Sequence, residues 1–179
     1  RLLLFSLLVL SLPCLSHAQF TTTNIAFAKR DDDANFFPDD TNTLFLLLGR
    51  VTSPNFSTNA TEIYIQDTND NMGILVFSSG FVIDTSQYKL GTEMFVGGYI
   101  MQTNGVRAIN PTVSGLVALN DTNELPPAPA SSTIASLLAG AESNEARFVV
   151  VSNVYLVTNT WPTWNNSASL SITDATGQI

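Results

Sequence analysis

The chain holds one cysteine, Cys14, and one histidine, His17, and both precede Ala18. From Gln19 onward there is no thiol and no imidazole. That excludes a Ser-His-Asp triad, a Cys nucleophile, a zinc centre and a His-metal nuclease from the stretch. It also leaves no disulfide to brace it, so burial of apolar surface has to hold the fold together. Charge is scarce: charged residues are 12% of the chain, against roughly 25% in ordinary soluble domains. The formal net charge is -8, and an acidic surface disfavours non-specific binding to phosphate backbones. Long apolar runs are missing too. The longest, Leu2 to Leu12, is well short of the roughly 20 residues a membrane-spanning helix needs.

That run carries its own reading. Arg1 stands before it, Pro13 breaks it, and Ser16-His17-Ala18 puts small residues at the positions a signal peptidase inspects. The pattern predicts a secretory signal peptide over 1–18, cleaved after Ala18. A lipid anchor on Cys14 is the competing reading, and Pro13 directly before it is a poor context. The expected location is therefore secreted, extracellular or cell-surface. Losing Arg1 would bring the side-chain charge to -9.

Residues 19–42 read as a lead-in, with Lys29-Arg30 followed by Asp31-Asp32-Asp33 and by Phe36-Phe37-Pro38-Asp39-Asp40. The Asp cluster reads first as a solvated turn and second as a loose cation site. Residues 43–124 then supply regular short strands without helical periodicity, which predicts an all-β class and a closed barrel. Expected strands are Leu44 to Ser53 with a bend or bulge at Gly49, Glu62 to Asp67, Gly73 to Phe77, a short return at Phe81-Val82-Ile83, Thr92 to Gln102, and Val106 to Ile109. Asn104-Gly105 signals a two-residue hairpin. Residues 125–133, with Pro126, Pro127 and Pro129, read as a stiff linker. Ser131-Ser132-Thr133 offers capping oxygens to a short helix from Ile134 to Ala139. Strands are expected again at Arg147 to Val157 and Ala168 to Asp174.

Two segments match. Ile63-Tyr64-Ile65-Gln66-Asp67 turns through Asn69 to Met72 into Gly73-Ile74, and Leu170-Ser171-Ile172-Thr173-Asp174 turns through Ala175-Thr176-Gly177 towards Ile179. A repeated strand–turn–strand implies a series of modules. The second, over 134–179, is expected to be truncated, and the chain to be a fragment missing part of both ends.

Gly49-Arg50-Val51-Thr52, Ile63 to Asp67, Gly73 to Phe77 and Lys89 to Gly98 together resemble the OB-fold modules of secreted bacterial proteins. Modules of that kind accompany extracellular sugar-non-specific endonucleases. Met94-Phe95-Val96 departs from the family's charged-valine alternation, and Arg147 to Val154 is similar to the start of a following module. The resemblance implies a five-stranded OB-like barrel followed by a truncated second OB-like module. It carries no catalytic residue.

The remaining chemistry is thin. Asp67 and Asp70, or Asp31 to Asp33, are carboxylate pairs, but neighbours on one turn rarely straddle a substrate at catalytic separation. Asp67-Thr68-Asn69 and Asp121-Thr122-Asn123 lack the glycine of an aspartic-protease motif. Asp67 to Gly73 is similar to a calcium loop in its alternating oxygens, yet its glycine is one place late and Ser78 stands where a bidentate Glu belongs. A polar hairpin turn accounts for the same residues. The four sequons at Asn55, Asn59, Asn120 and Asn165 are expected by chance in a chain this rich in Asn and Thr. No cofactor and no metal are expected. Aromatics give the best positive signal: Tyr64 and Tyr99 point away from apolar neighbours, and Trp161 and Trp164 flank Pro162. They are the candidate residues for stacking a polysaccharide or single-stranded nucleic acid, with packing over the barrel mouth as the competing role. The chain thus reads as a secreted, non-catalytic binding or spacer module. The alternative is an accessory region of a nuclease or other hydrolase whose catalytic domain lies elsewhere.

Overall fold

The computed structural model describes residues 19–118, 125–157, 169–177 and 179. The expected signal peptide, Trp161 and Trp164 lie outside the described residues. Among the described residues no helix is long and apolar enough to cross a membrane.

Strand dominates and helix is sparse, an all-β class. The chain opens with β1 (Thr21–Thr23) and one turn of helix, α1 (Ile25–Ala28). Asn24 caps that turn, its side chain accepting from the Phe27 N–H at 2.8 Å. β2 (Leu44–Val51) follows, then β3 (Thr61–Gln66), β4 (Gly73–Ser78), β5 (Glu93–Thr103) and β6 (Val106–Ala118). The sheet order is β1-β2-β3-β4-β6-β5, and β5 pairs back onto β2, so five of the strands close into a ring. Every ring contact is antiparallel except β4 with β6.

Alternation explains why these strands close around a core. In β2, Phe45, Leu47 and Val51 are buried while Leu48 faces out. In β3, Ile63 and Ile65 face in. Ile74, Val76, Met94, Val96, Ile100 and Ile109 complete the interior from the other three strands. The helical turn α1 adds Ile25 and Ala28 to the same cluster. Each such Ile or Leu contributes about 1.5–3 kcal/mol by leaving water.

Several sequence expectations change here. The register of β2 runs unbroken across Gly49, which faces Met94 of β5. No bulge sits there; the glycine makes room for Ile65, whose side chain would lie 3.2 Å from a Cβ at this position. The irregularity lies instead in the β5–β6 pairing, where the partner jumps from Leu116 opposite Val96 to Pro111 opposite Gly98, so the extra residues are on β6. It lets Pro111 occupy a strand, since a bulge relieves the ladder of one donor, and β6 therefore runs on to Ala118 rather than ending at Ile109. Phe81 to Ile83 is not a strand. The Thr61 hydroxyl ties it down instead, donating to the Phe81 carbonyl at 2.9 Å and accepting from the Ile83 N–H at 3.1 Å. Asn104 and Gly105 take φ of 51° and 80°, the two positive angles that a tight hairpin requires.

The C-terminal part contains β7 (Ala130–Ser132), α2 (Ile134–Ala139), α3 (Ala141–Asn144), β8 (Val149–Val151), β9 (Tyr155–Leu156) and β10 (Ile172–Thr173). Residues 130–132, within the stretch that its prolines marked as a linker, are thus a strand, paired in parallel with β8. The expected strand Arg147 to Val157 is two strands, because Asn153 takes a φ of 56° between them. β7, the Thr133 cap and α2 repeat the pattern of β1, the Asn24 cap and α1: β1 also runs parallel to the strand that follows its helix. Ile25 and Ile134, each directly after its cap, are both fully buried. Ile172 and Ile179 exchange both backbone hydrogen bonds, at 2.8 and 3.0 Å, and Ile65 faces Ile74 in the ring.

Asp174 fastens this C-terminal part. Its carboxylate accepts from the Thr176 hydroxyl, from the backbone N–H groups of Thr176 and Gly177, and from the Ile134 N–H at the start of α2. The Thr176 hydroxyl, then the Ile134 N–H, are the main influences holding its pKa at about 2, against an ordinary 3.8. A carboxyl depressed on folding stabilises the fold above its unfolded pKa, and loses that contribution as pH falls through the folded value. Between about pH 4 and pH 2, exchange protection of the Ile134 and Ala135 amides should fall before that of the ring. In Asp174→Asn that acid response should be absent.

Candidate functional site

The ring and the C-terminal part meet at a buried ion cluster. Lys29, just past α1, is 1% exposed. Its ammonium donates to the carbonyls of Gly73 at 2.8 Å and Glu145 at 3.0 Å, and lies 3.4 Å from Glu145 Oε2. Burial pushes the Lys29 pKa below its ordinary value, against the pull of the Glu145 carboxylate. Arg107 of β6 approaches from the other side. It donates to the Lys29 carbonyl at 2.7 Å and contacts Glu145 Oε2 at 3.3 Å and Glu142 Oε2 at 3.0 Å. The Arg107 backbone N–H adds a bond of 2.6 Å to Glu145 Oε1. Two cations from the N-terminal part therefore enclose one carboxylate from the C-terminal part.

The backbone beside this cluster is equally close. A Cβ on Gly73 would collide with the Ala146 carbonyl, so only glycine admits the turn at 145–147. Gln66, 1% exposed, accepts from the Phe148 N–H at 2.8 Å. Ala146 takes a φ of 62°, a left-handed conformation unfavourable for a residue with a Cβ. The turn keeps it because the contacts around it leave no alternative.

This docking encloses a cleft of about 400 Å³. One wall is Thr52, Ser53, Pro54, Phe56 and Tyr64; the other is Ala146, Arg147 and Phe148. Phe56 and Tyr64 meet edge to face, centroids 6.2 Å apart. Phe56 is 62% exposed. Among the described residues the Tyr64 hydroxyl has no hydrogen-bond partner, and burial, then the Glu62 and Glu145 charges, raise its pKa. Arg147 gives one donor to Asn144 Oδ1 at 3.1 Å, while its Nε is buried without an acceptor among the described residues.

Of the aromatic candidates among the described residues, Tyr64 alone lines this cleft. Tyr99, 43% exposed, lies opposite Leu44 at the far end of β2, whereas Tyr64 is bonded to Thr52 beyond its near end. At roughly 3.3 Å per residue the two tyrosines are about 25 Å apart along the strand. They do not form one surface. Phe56, Arg147 and Phe148 escaped the sequence reading: Phe56 sat inside a sequon, and the other two read as the opening of a strand. Nothing local marks a contact across some ninety residues. The Lys29 environment did leave a trace, in the shared cap–Ile–Ala of Asn24-Ile25-Ala26 and Thr133-Ile134-Ala135.

The carboxylate pairs serve the backbone. Asp67 Oδ1 accepts from the Asn69 N–H at 2.7 Å and Asp70 Oδ1 from the Met72 N–H at 2.9 Å, the bonding of a polar hairpin turn. Oxygens of Asp31, Asp33 and Asp39 come within 4.8 Å of one another. They too accept backbone N–H groups, from Asn35, Phe36 and Asp32. A larger cavity of about 540 Å³ opens beside the ion cluster, but its cations are each ion-paired: Lys29 and Arg107 as above, and Arg30 to Asp40 at 2.8 Å.

A scan against protein-family models gives no match, and a search of curated proteins gives none either.

Removing Lys29 leaves the Glu145 carboxylate buried with half its compensation. Lys29→Met should cost about 3 kcal/mol in urea unfolding, and adding Glu145→Gln should recover part of it. Gly73→Ala should instead release the turn, visible as lost exchange protection at Phe148 with the ring amides unchanged.

Proposed function

We propose that the chain is a non-catalytic binding and spacing region of an extracellular protein, in which an OB-like barrel rigidly carries a second module. Two features support the barrel. Its five strands close in the order β2-β3-β4-β6-β5, and its one parallel contact joins the third and fifth of them, the arrangement expected of an OB-type Greek-key barrel. The recurrence of strand, cap and helix before β2 and before β8 supports a second module.

The observation that carries the spacer role is the docking of residues 145–148 onto the barrel. A flexible linker would place two modules at random orientations. Here the ion cluster, the Gly73 contact and the Gln66–Phe148 hydrogen bond fix one orientation. No imidazole or thiol follows Ala18, and the acidic pairs are occupied by backbone amides, so the region suits holding and positioning rather than bond cleavage.

The spacer reading is tested by backbone ¹⁵N relaxation on the full chain. Residues 44–118 and 130–157 should tumble with one correlation time. Two distinct times would overturn it. Export is tested in a secreting host: the protein should reach the medium with Gln19 at its N-terminus, and retention with 1–18 intact would remove the extracellular assignment.

A further inference from the structure

The cleft between Phe56 and Phe148 belongs to neither half alone. The ring supplies Thr52, Ser53, Phe56 and Tyr64, and the docked turn supplies Arg147 and Phe148. We propose that this composite cleft is a binding site for a neutral pyranose unit of a polysaccharide; the inference rests on the binding-module reading above.

Size, lining and charge all bear on the ligand. At about 400 Å³ the cleft falls in the range of small-ligand pockets and admits a sugar ring. A pyranose presents an apolar face of C–H groups, weakly positive, which suits the negative faces of Phe and Tyr rings. Its edge carries hydroxyls that both donate and accept. The cleft offers matching groups: among the described residues the Tyr64 hydroxyl is unpartnered, and the Arg147 guanidinium spends one bond, on Asn144. A ligand bearing many phosphates fits poorly. Among the described residues Arg147 is the sole cation lining the cleft, the whole chain carries a net charge of -8, and affinity for nucleic acid grows with the number of phosphates neutralised.

The second wall is pre-formed. Ala146 is held at a φ of 62° directly before Arg147 and Phe148, and the ion cluster, the Gly73 contact and the Gln66 bond hold that turn against the ring before any ligand arrives. A wall already ordered costs a ligand little entropy on binding.

The test is titration of the ¹⁵N-labelled full chain with cellohexaose, maltohexaose and chitohexaose, with hexagalacturonate and hexathymidylate as charged comparators. At least one neutral hexaose should saturate, with shifts concentrated at 52–56, 64 and 146–148. Phe56→Ala should weaken it by roughly tenfold or more. Phe56 is largely exposed, so this variant should stay folded, and Tyr64→Phe, which removes only the hydroxyl, should weaken it by roughly threefold. No response at those amides to any neutral hexaose at about 10 mM, binding confined to the charged comparators, or binding indifferent to both substitutions would each overturn the proposal. The relaxation measurement separates the two readings. One correlation time without saccharide binding removes the ligand and leaves a rigid spacer. Two correlation times remove the composite cleft itself.

Discussion

Glu145 is the group on which the arrangement of the two halves depends. Its carboxylate is buried between Lys29 and Arg107, and its backbone carbonyl accepts from Lys29 as well. Taking such charges out of water costs several kcal/mol per ion. Attraction at this distance returns about 4 kcal/mol per pair at a moderate effective dielectric. Those terms nearly cancel, so the cluster adds little net stability and a great deal of positional definition. Any displacement of the turn would part Glu145 from both cations and leave the buried Lys29 ammonium without its counter-charge. The cluster is thus better understood as fixing where residues 145–148 sit than as holding the fold together. That second task belongs to the ring core, where Phe45, Leu47, Ile63 and Ile65 are completely or almost completely buried.

From this one constraint the rest of the interface follows. With Glu145 anchored, Ala146 has to pass directly over β4, and the start of that strand must be glycine. The same passage presents the Phe148 N–H to Gln66, whose side chain also donates to Asn71 at 3.4 Å. Gln66 closes the strand that carries Tyr64, so the bond ties the aromatic wall to the opposite wall. Residues far apart in sequence become neighbours because the ion pairs of Glu145 and the Gln66–Phe148 bond are all made in this one position of the turn.

Much of the ring could be read directly from the sequence because its signals are local. The alternation of Ile63 and Ile65 with Tyr64 and Gln66 has the period of a strand, and Asn104-Gly105 is the turn that two positive φ angles demand. Ile134 to Ala139 was legible as a helix because Thr133 precedes it and Gly140 ends it. What escaped was nonlocal. Thr21–Thr23 is three residues of no marked apolarity, and is a strand only because β2 offers it an open edge. Lys29 beside an Asp run reads as solvated charge, and is buried only because Glu145 reaches it from 116 residues away. Tyr64 was identified as outward-facing, correctly, yet its partners Arg147 and Phe148 carry no mark of where they dock.

The composition of the chain fits this division of labour. Few charges and abundant Thr, Asn and Ser give a surface whose polar groups are mostly spent on its own backbone, as Asn55, Asp67, Asp84 and Asp174 illustrate. Side chains used in that way stiffen loops and leave little chemistry free. Against that background, a half-exposed aromatic pair beside a guanidinium with an unspent donor stands out. Turn geometry does not require Phe56 at the crest of the β2–β3 loop, where it remains largely exposed. What sets Phe56 apart from the other exposed aromatics is the ordered wall opposite it, so a ligand covering it would bury apolar surface without having to order the site.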